Sequence, residues 1–181
     1  MLETISFFDH TAPPCKAGLD IALVVDKSSS ISRRELEKAA KFLEDLVDKF
    51  NPGPDGDHFG LITFSKTPTT AFTFADSEYH DKEALKKGIA SSLATRGRGT
   101  RTDLALTEAG ELFTKARGDR ADKPNVMIVL TDGNPHNLGR PFEDFAKKIA
   151  KSFQVSIPRS VGCLYVSVSQ FLDERAKCSS R

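Results

Sequence analysis

The chain has 181 residues, of which 39% are hydrophobic and 28% are charged, a composition that suits one globular domain with a sizeable core. Its 26 basic and 25 acidic residues leave a formal net charge of +1, so no global charge favours binding to nucleic acid or to an anionic membrane. No segment approaches the run of about 18 apolar residues that a membrane-spanning helix requires, so membrane insertion is not expected.

Residues 1–17 are interpreted as an amino-terminal extension. They lack the basic and apolar regions of a secretion signal. The protein is therefore either intracellular or a piece of a longer secreted chain. The cysteines favour the secreted chain, because Cys15 and Cys178 bracket the domain and could form a disulfide; the alternative is that all three are reduced thiols, as in a cytosolic protein. Cys163 lies in an apolar run and is interpreted as a small buried residue.

The first part of the domain predicts a strand, a helix and two further strands. Residues 19–25 are largely apolar and are typical of a buried parallel strand. Residues 32–35 have the spacing of a capping box and predict the start of a helix, which the turn residues 51–56 end. Residues 59–64 predict the second strand, and residues 70–74 alternate like an edge strand. The apolar face of the helix comprises Leu36, Ala39, Ala40, Leu43, Leu46, Val47 and Phe50.

The following residues predict helices that alternate with strands. Residues 81–93 predict a helix, Gly118 is expected to end the next one, and residues 126–130 predict another buried strand. Residues 142–151 predict a further helix. This alternation predicts a doubly wound, Rossmann-like α/β fold, in which a mostly parallel sheet has one antiparallel edge strand and helices on both faces. The apolar face predicted for the helix before Gly118 comprises Leu104, Ala105, Ala109, Leu112, Phe113 and Ala116.

The carboxyl-terminal part of the chain is less regular. Residues 153–162 could form a strand, but Pro158 interrupts it, and proline is confined to edges and bulges of sheets. Residues 164–169 alternate well and predict the next strand, followed by a short helix over residues 170–178. The domain is therefore predicted to span residues 18–178, with residues 153–178 atypical.

Polar side chains follow the predicted strands at the sheet edge where open α/β folds bind ligands. Asp26, Ser28 and Ser30 follow the first strand, Thr100 lies in the loop before a helix, and Asp132 follows the strand at residues 126–130. Two carboxylates and three hydroxyls form an oxygen-only set. Such a set suits Mg²⁺, Mn²⁺ or Ca²⁺ rather than zinc, and it would leave a coordination position for a ligand carboxylate.

This arrangement resembles the metal-ion-dependent adhesion site of the von Willebrand factor A domain, the fold also found as the integrin inserted domain. The family pattern is Asp-x-Ser-x-Ser, a separate threonine, and an aspartate in a Thr-Asp-Gly turn. Asp26, Ser28 and Ser30 match the first part, Thr100 the second and Asp132 the third. The resemblance covers about residues 18–150. Flanking segments that also look like the family are residues 19–21, 59–65 and 103–106.

The resemblance implies an extracellular module for divalent-cation-dependent adhesion. The two serines and Thr100 would contact the metal directly or through water, and Asp26 and Asp132 would often contact it through water. An Asp or Glu of an extracellular matrix or cell-surface protein, such as a collagen-like protein or a receptor, would complete the metal shell. Because flanking cysteines are usual in extracellular members, the resemblance also favours a disulfide between Cys15 and Cys178.

The sequence departs from the family pattern beside the aspartate. Lys27 places a cation next to the expected metal, which would weaken metal binding unless its side chain points into water. Arg96, Arg98 and Arg101 lie in the loop that carries Thr100; they would either attract an acidic ligand or sulfated glycan, or be solvated without a specific role. His136 follows the Thr-Asp-Gly turn and is interpreted as an exposed loop residue.

An enzyme is not expected. The chain contains neither a phosphate-binding P-loop nor the serine elbow of an α/β-hydrolase, and none of its four histidines lies in a recognisable triad context. Two alternatives to metal-dependent adhesion are a structural matrix domain with a vestigial metal site and an intracellular scaffold with the same fold. Measuring metal binding would distinguish a vestigial matrix domain from an adhesion module. Whether Cys15 and Cys178 are disulfide-bonded would distinguish an intracellular scaffold from an extracellular domain.

Overall fold

A computed structural model of the chain describes residues 18–131 and the backbone of two strand segments, residues 155–156 and 164–169. Asp132, His136, the three cysteines and the helices predicted over residues 142–151 and 170–178 lie outside the described residues.

The fold is built on a central sheet whose described strands are ordered β3-β2-β1-β4-β6-β5. Strand β1 lies inside the sheet, since its five consecutive apolar residues between Asp20 and Asp26 can be buried only where both faces of the sheet are covered. It pairs in parallel with β2 on one side and with β4 on the other. The strands are β1 (Asp20–Asp26), β2 (His58–Phe64), β3 (Pro68–Phe72), β4 (Asn125–Thr131), β5 (Val155–Ser156) and β6 (Leu164–Ser169).

Four of these six strands point in one direction and two point in the other. Strand β3 is the expected antiparallel edge strand and pairs with β2. Strand β6 covers the residues predicted for it, and it also runs antiparallel to β4, which the sequence did not predict. Strand β5 lies beyond β6 and points the same way as β4. The predicted mostly parallel α/β architecture is confirmed, with a second antiparallel strand on the far side of the sheet.

Three α-helices cover the described part of the sheet: α1 (Arg33–Val47), α2 (Lys82–Ser92) and α3 (Thr102–Leu112). The predicted capping box opens α1, because the Ser32 hydroxyl accepts the Glu35 N–H and the Glu35 carboxylate accepts the Ser32 N–H. Asp81 caps α2 by accepting the Ala84 N–H at 2.8 Å. No helix among the described residues is long and apolar enough to cross a membrane.

The core has two halves, one on each face of the sheet. Alternate residues of β1 point to opposite faces. Ile21, Leu23 and Val25 pack with α1 and α2, whereas Ala22 and Val24 pack with α3. Both halves are almost fully buried beneath these helices, which confirms the prediction of helices on both faces of the sheet.

Three details differ from the sequence prediction. Strand β3 begins two residues earlier than predicted, because the edge of a sheet tolerates Pro68 at the first position. In α3, Leu104 is exposed and Leu106 is buried, so the apolar face is rotated from the predicted one. The α-helix ends at Leu112, and Gly118 instead ends a short 3₁₀ turn (Lys115–Arg117) with a left-handed φ of 86°.

Candidate metal centre

Asp26 lies at the carboxyl end of β1, between the ends of its two parallel neighbours. The strand register pairs it with Phe64 of β2 and continues on the other side to Thr131 of β4. Its side chain is buried with 1% exposure, although it is a carboxylate. Burying a carboxylate without hydrogen-bond donors would cost several kcal/mol, so its partners define what the site can do.

Two donors hold the Asp26 carboxylate in a fixed orientation. Its Oδ1 accepts the backbone N–H of Ser28 at 2.8 Å, and its Oδ2 accepts the hydroxyl of Thr131 at 2.8 Å. Both donors are neutral groups, so these two bonds orient the carboxylate. By contrast, the buried carboxylate of Asp20, at the other end of β1, is paired with the Arg120 guanidinium at 2.7 Å. Asp26 is thus a buried carboxylate whose orientation is set at the edge of the sheet, whereas Asp20 is part of a structural ion pair.

The two serines present their hydroxyls side by side. Ser28 Oγ and Ser30 Oγ are 2.8 Å apart, and the turn that carries them is closed by a hydrogen bond from the Ile31 N–H to the Ser28 carbonyl. Ser28 is buried and Ser30 is exposed. Two neighbouring oxygen ligands of an octahedral Mg²⁺ lie about 2.9 Å apart, since each is about 2.0–2.1 Å from the metal. The spacing of the two hydroxyls therefore fits a shared cation.

The loop that carries Thr100 is fastened to the same edge of the sheet. The Gly97 N–H donates to the Lys27 carbonyl at 2.7 Å, and the Arg101 N–H donates to the Ser65 carbonyl at 2.8 Å. A Cβ at Gly97 would lie 2.1 Å from the Ser65 hydroxyl, so only glycine allows this approach. Thr100 lies between these two anchor points and is 2% exposed. The Thr100 loop and the Asp26 turn are thus held together by backbone contacts.

Lys27 contributes its backbone to this junction. Its N–H donates to the Phe64 carbonyl at 2.8 Å, and its carbonyl accepts the Gly97 N–H. The residue therefore connects the ends of β1 and β2 with the Thr100 loop. Its side chain is partly exposed and makes no ion pair within the described part of the chain. The role of this position in the fold thus depends on its backbone, which any residue except proline could supply.

Of the five predicted ligands, four lie among the described residues, and Asp132 lies outside them. Direct hydrogen bonds link Asp26 to Ser28 and Ser28 to Ser30, and the backbone contacts fasten the loop of Thr100 beside them. The sequence interpretation missed the role of Thr131, which precedes Asp132. This role could have been inferred by placing the predicted strand at residues 126–130 beside β1, because the register then puts Thr131 next to Asp26.

The site depends on hydroxyl oxygens more than on charged ligands. Within residues 18–131, no three His, Cys, Asp or Glu side chains come together as a potential metal site.

The nearby guanidinium of Arg101 forms two hydrogen bonds of 2.7 Å with Asp103, and this interaction lowers the pKa of the Asp103 carboxyl. Asp103 is therefore ionised and engaged at the first turn of α3.

Comparison with known proteins agrees with this geometry. Residues 20–171 match the family model described as the von Willebrand factor type A domain. Integrin alpha-1 of Gallus gallus is 29% identical over 188 residues, which cover 99% of this chain and 63% of that protein. Matrilin-4 of Homo sapiens is 31% identical over 173 residues, covering 91% of this chain and 27% of that protein. The von Willebrand factor of Rattus norvegicus is 26% identical over 145 residues, covering 80% and 31% respectively.

Solved structures of a mussel byssus protein have the same fold. Proximal thread matrix protein 1 matches with a TM-score of 0.67 and 32% identity, over 78% of this chain and 37% of that chain. A second structure of that protein, described as having a zinc-occupied MIDAS motif, matches with a TM-score of 0.66 and 31% identity, over 78% and 37%. MIDAS denotes the metal-ion-dependent adhesion site.

The chain spans 63% or less of the length of each of these relatives. The relatives are extracellular adhesion and matrix proteins without enzymatic activity, which confirms the prediction that this domain is not an enzyme. The matched family model covers most of the chain, and the fold and the order of the motifs agree with it. The chain therefore belongs to the von Willebrand factor type A domain family.

Proposed function

We propose that this chain is an extracellular adhesion module that binds a partner protein through a divalent cation. The observation that carries the proposal is the buried Asp26 carboxylate, which is oriented by two neutral donors next to a pair of hydroxyls 2.8 Å apart. The hydroxyls of Ser28, Ser30 and Thr100 and the carboxylates of Asp26 and Asp132 would hold the cation. A bound cation would supply an electrophilic position that accepts an Asp or Glu carboxylate of the partner.

The chemistry of this set favours Mg²⁺, with Mn²⁺ or Ca²⁺ as substitutes. All of its donors are oxygen atoms, which hard cations prefer, and two formal charges leave room for water and for a ligand carboxylate. The zinc-occupied motif of the mussel protein supports occupation of such a site by a divalent cation. The relatives support a matrix or cell-surface partner, of a collagen-like or receptor type, and a secreted location within a longer chain. The domain limits of residues 18–178 and the Cys15–Cys178 disulfide stay predictions.

The test measures cation binding and partner binding separately. Binding of Mn²⁺ to the chain is measured by calorimetry, and binding to surfaces coated with collagens and other matrix proteins is measured with Mg²⁺ and with EDTA. We expect Mn²⁺ to bind at one site and surface binding to be lost in EDTA. Absence of Mn²⁺ binding would contradict the proposal and favour a structural domain with a vestigial site.

The variant Asp132→Ala refines this test. It removes one carboxylate from the proposed cation set, so Mn²⁺ binding and cation-dependent adhesion should be lost. In EDTA its free energy of unfolding should equal or slightly exceed that of the wild type, because repulsion between two carboxylates is relieved. Loss of the fold in EDTA would show instead that Asp132 is a structural residue.

A further inference from the structure

The loops around the candidate metal centre carry a concentrated positive charge. Residues 27–34, 65–67 and 94–101 contain seven basic residues and no acidic residue. The whole chain has a formal net charge of +1, so the residues outside these three loops carry a net charge of −6. The basic rim, as we name this set, comprises Lys27, Arg33, Arg34, Lys66, Arg96, Arg98 and Arg101.

The three loops of the basic rim contact one another. The Lys27 carbonyl accepts a hydrogen bond of 2.7 Å from the third loop, and Arg96 of that loop donates to the Ile31 carbonyl at 3.2 Å. A Cβ at Gly99 would lie 3.4 Å from the Lys66 Cα, so the second and third loops also touch. The cations of the rim therefore lie on loops that adjoin one another.

Three arginines of the rim occupy positions that helices disfavour for cations. Arg33 and Arg34 are the first two residues of α1, and Arg101 is the N-cap of α3 without a capping hydrogen bond from its side chain. The amino-terminal end of a helix carries a partial positive charge, so these positions favour acidic or small polar residues. Arg101 has a partner in Asp103 and Arg33 has one in Glu37, whereas Arg34 has no acidic partner among residues 18–131 that would explain its position.

Within residues 18–131, most cations of the rim have no acidic partner. Arg101 is neutralised by Asp103, and Arg33 lies 3.6 Å from Glu37 in an exposed pair that contributes little. In residues 18–131, the side chains of Lys27, Arg34, Lys66 and Arg98 make no hydrogen bond or ion pair, and Arg96 contacts only a carbonyl. Arg34, Lys66, Arg96 and Arg98 are exposed.

We infer that the basic rim binds a linear sulfated polysaccharide, and that this binding does not require the metal. A ligand that engages cations on three loops must carry several anions along its length, whereas the metal needs one carboxylate. Three of the five cations without an acidic partner, Arg34, Arg96 and Arg98, are arginines, whose planar guanidinium forms paired hydrogen bonds with oxyanions such as sulfate. A stiff polysaccharide also loses less conformational entropy on binding than an acidic peptide with flexible side chains.

The experiment measures binding of a heparin octasaccharide to the full chain in EDTA by fluorescence anisotropy. About four ionic contacts predict that affinity falls about a hundredfold between 50 and 200 mM salt, by analogy with the counterion release of nucleic acids. The double variant K66S/R98S should weaken binding about tenfold at low salt. Its control is K49S/K115S, which removes two exposed lysines at the far ends of α1 and α3 and should change affinity less than twofold.

Several results would overturn the inference. The inference is wrong if the octasaccharide does not bind at 50 mM salt, or if binding is lost in EDTA. It is also wrong if both double variants weaken binding equally, or if a poly-glutamate peptide of equal charge binds more tightly. Thermal midpoints of both double variants in EDTA verify that they are folded, and R34S provides an independent rim variant on α1. Because every measurement is made in EDTA, failure of the metal-dependent function would leave this result unchanged.

Discussion

Replacing Thr131 by valine removes the hydroxyl that donates to Asp26 Oδ2 at 2.8 Å and leaves the side-chain volume nearly unchanged. Both residues are buried, with exposures of 4% and 1%, so water cannot take the place of the lost donor. A hydrogen bond to a charged group contributes about 1.5–3 kcal/mol. We therefore expect the variant to lose about 2 kcal/mol of unfolding free energy, equivalent to a thermal midpoint about 4–8 °C lower for a chain of this size.

The assay is urea denaturation of the wild type and of Thr131→Val in EDTA, followed by titration with Mg²⁺. Thr70→Val is the matched control, because its hydroxyl also donates to a carboxylate at 2.8 Å, that of Glu108, which keeps Arg117 as a partner. We expect the control to lose less than about 1 kcal/mol. We also expect Thr131→Val to weaken the stabilisation by Mg²⁺ and the control to leave it unchanged. Equal losses in the two variants would refute the orienting role of Thr131.

Two further predictions follow from the described contacts. Gly97→Ala should lower the unfolding free energy by about 1–3 kcal/mol and weaken Mn²⁺ binding, because its Cβ would lie 2.1 Å from the Ser65 hydroxyl. Calorimetry measures both effects. The control is Gly110→Ala, where a Cβ meets open space and should stabilise α3. Burial lowers the pKa of His58, so the unfolded chain binds more protons than the folded chain near pH 6, and stability should fall on acidification below about pH 6.5. Urea denaturation at pH 7.5 and 5.5 should show that His58→Gln loses less unfolding free energy on acidification than the wild type.

Local patterns predicted the framework of the fold because local interactions determine it. The capping box of Ser32 and Glu35 starts α1 as predicted, and the long apolar runs of β1, β2 and β4 form the three central strands. Each of these elements has a strong pattern over five or more consecutive residues. The position of Asp26, Ser28 and Ser30 could also be predicted, because parallel strands bring their carboxyl ends to one edge of the sheet and these residues follow such an end. Their role as metal ligands stays a prediction.

Other features depend on packing that no local pattern encodes. Leu104, Ala105 and Leu106 are consecutive apolar residues, so periodicity alone could not decide which face of α3 meets the sheet. The direction of β6 beside β4 depends on pairing across the sheet. The role of Thr131 depends on the register of β4 against β1, which brings together residues 105 positions apart.

The thermal midpoint of the wild-type chain with excess EDTA, compared with millimolar Mg²⁺, tests the central claim most directly. At a Mg²⁺ concentration 100 times the dissociation constant, binding adds about 2.7 kcal/mol to the unfolding free energy. For a chain of this size we predict a midpoint about 5–10 °C higher. The rise should be absent in Asp132→Ala. An unchanged wild-type midpoint at tens of millimolar Mg²⁺ or Mn²⁺ would contradict a cation site formed by Asp26, Ser28, Ser30, Thr100 and Asp132.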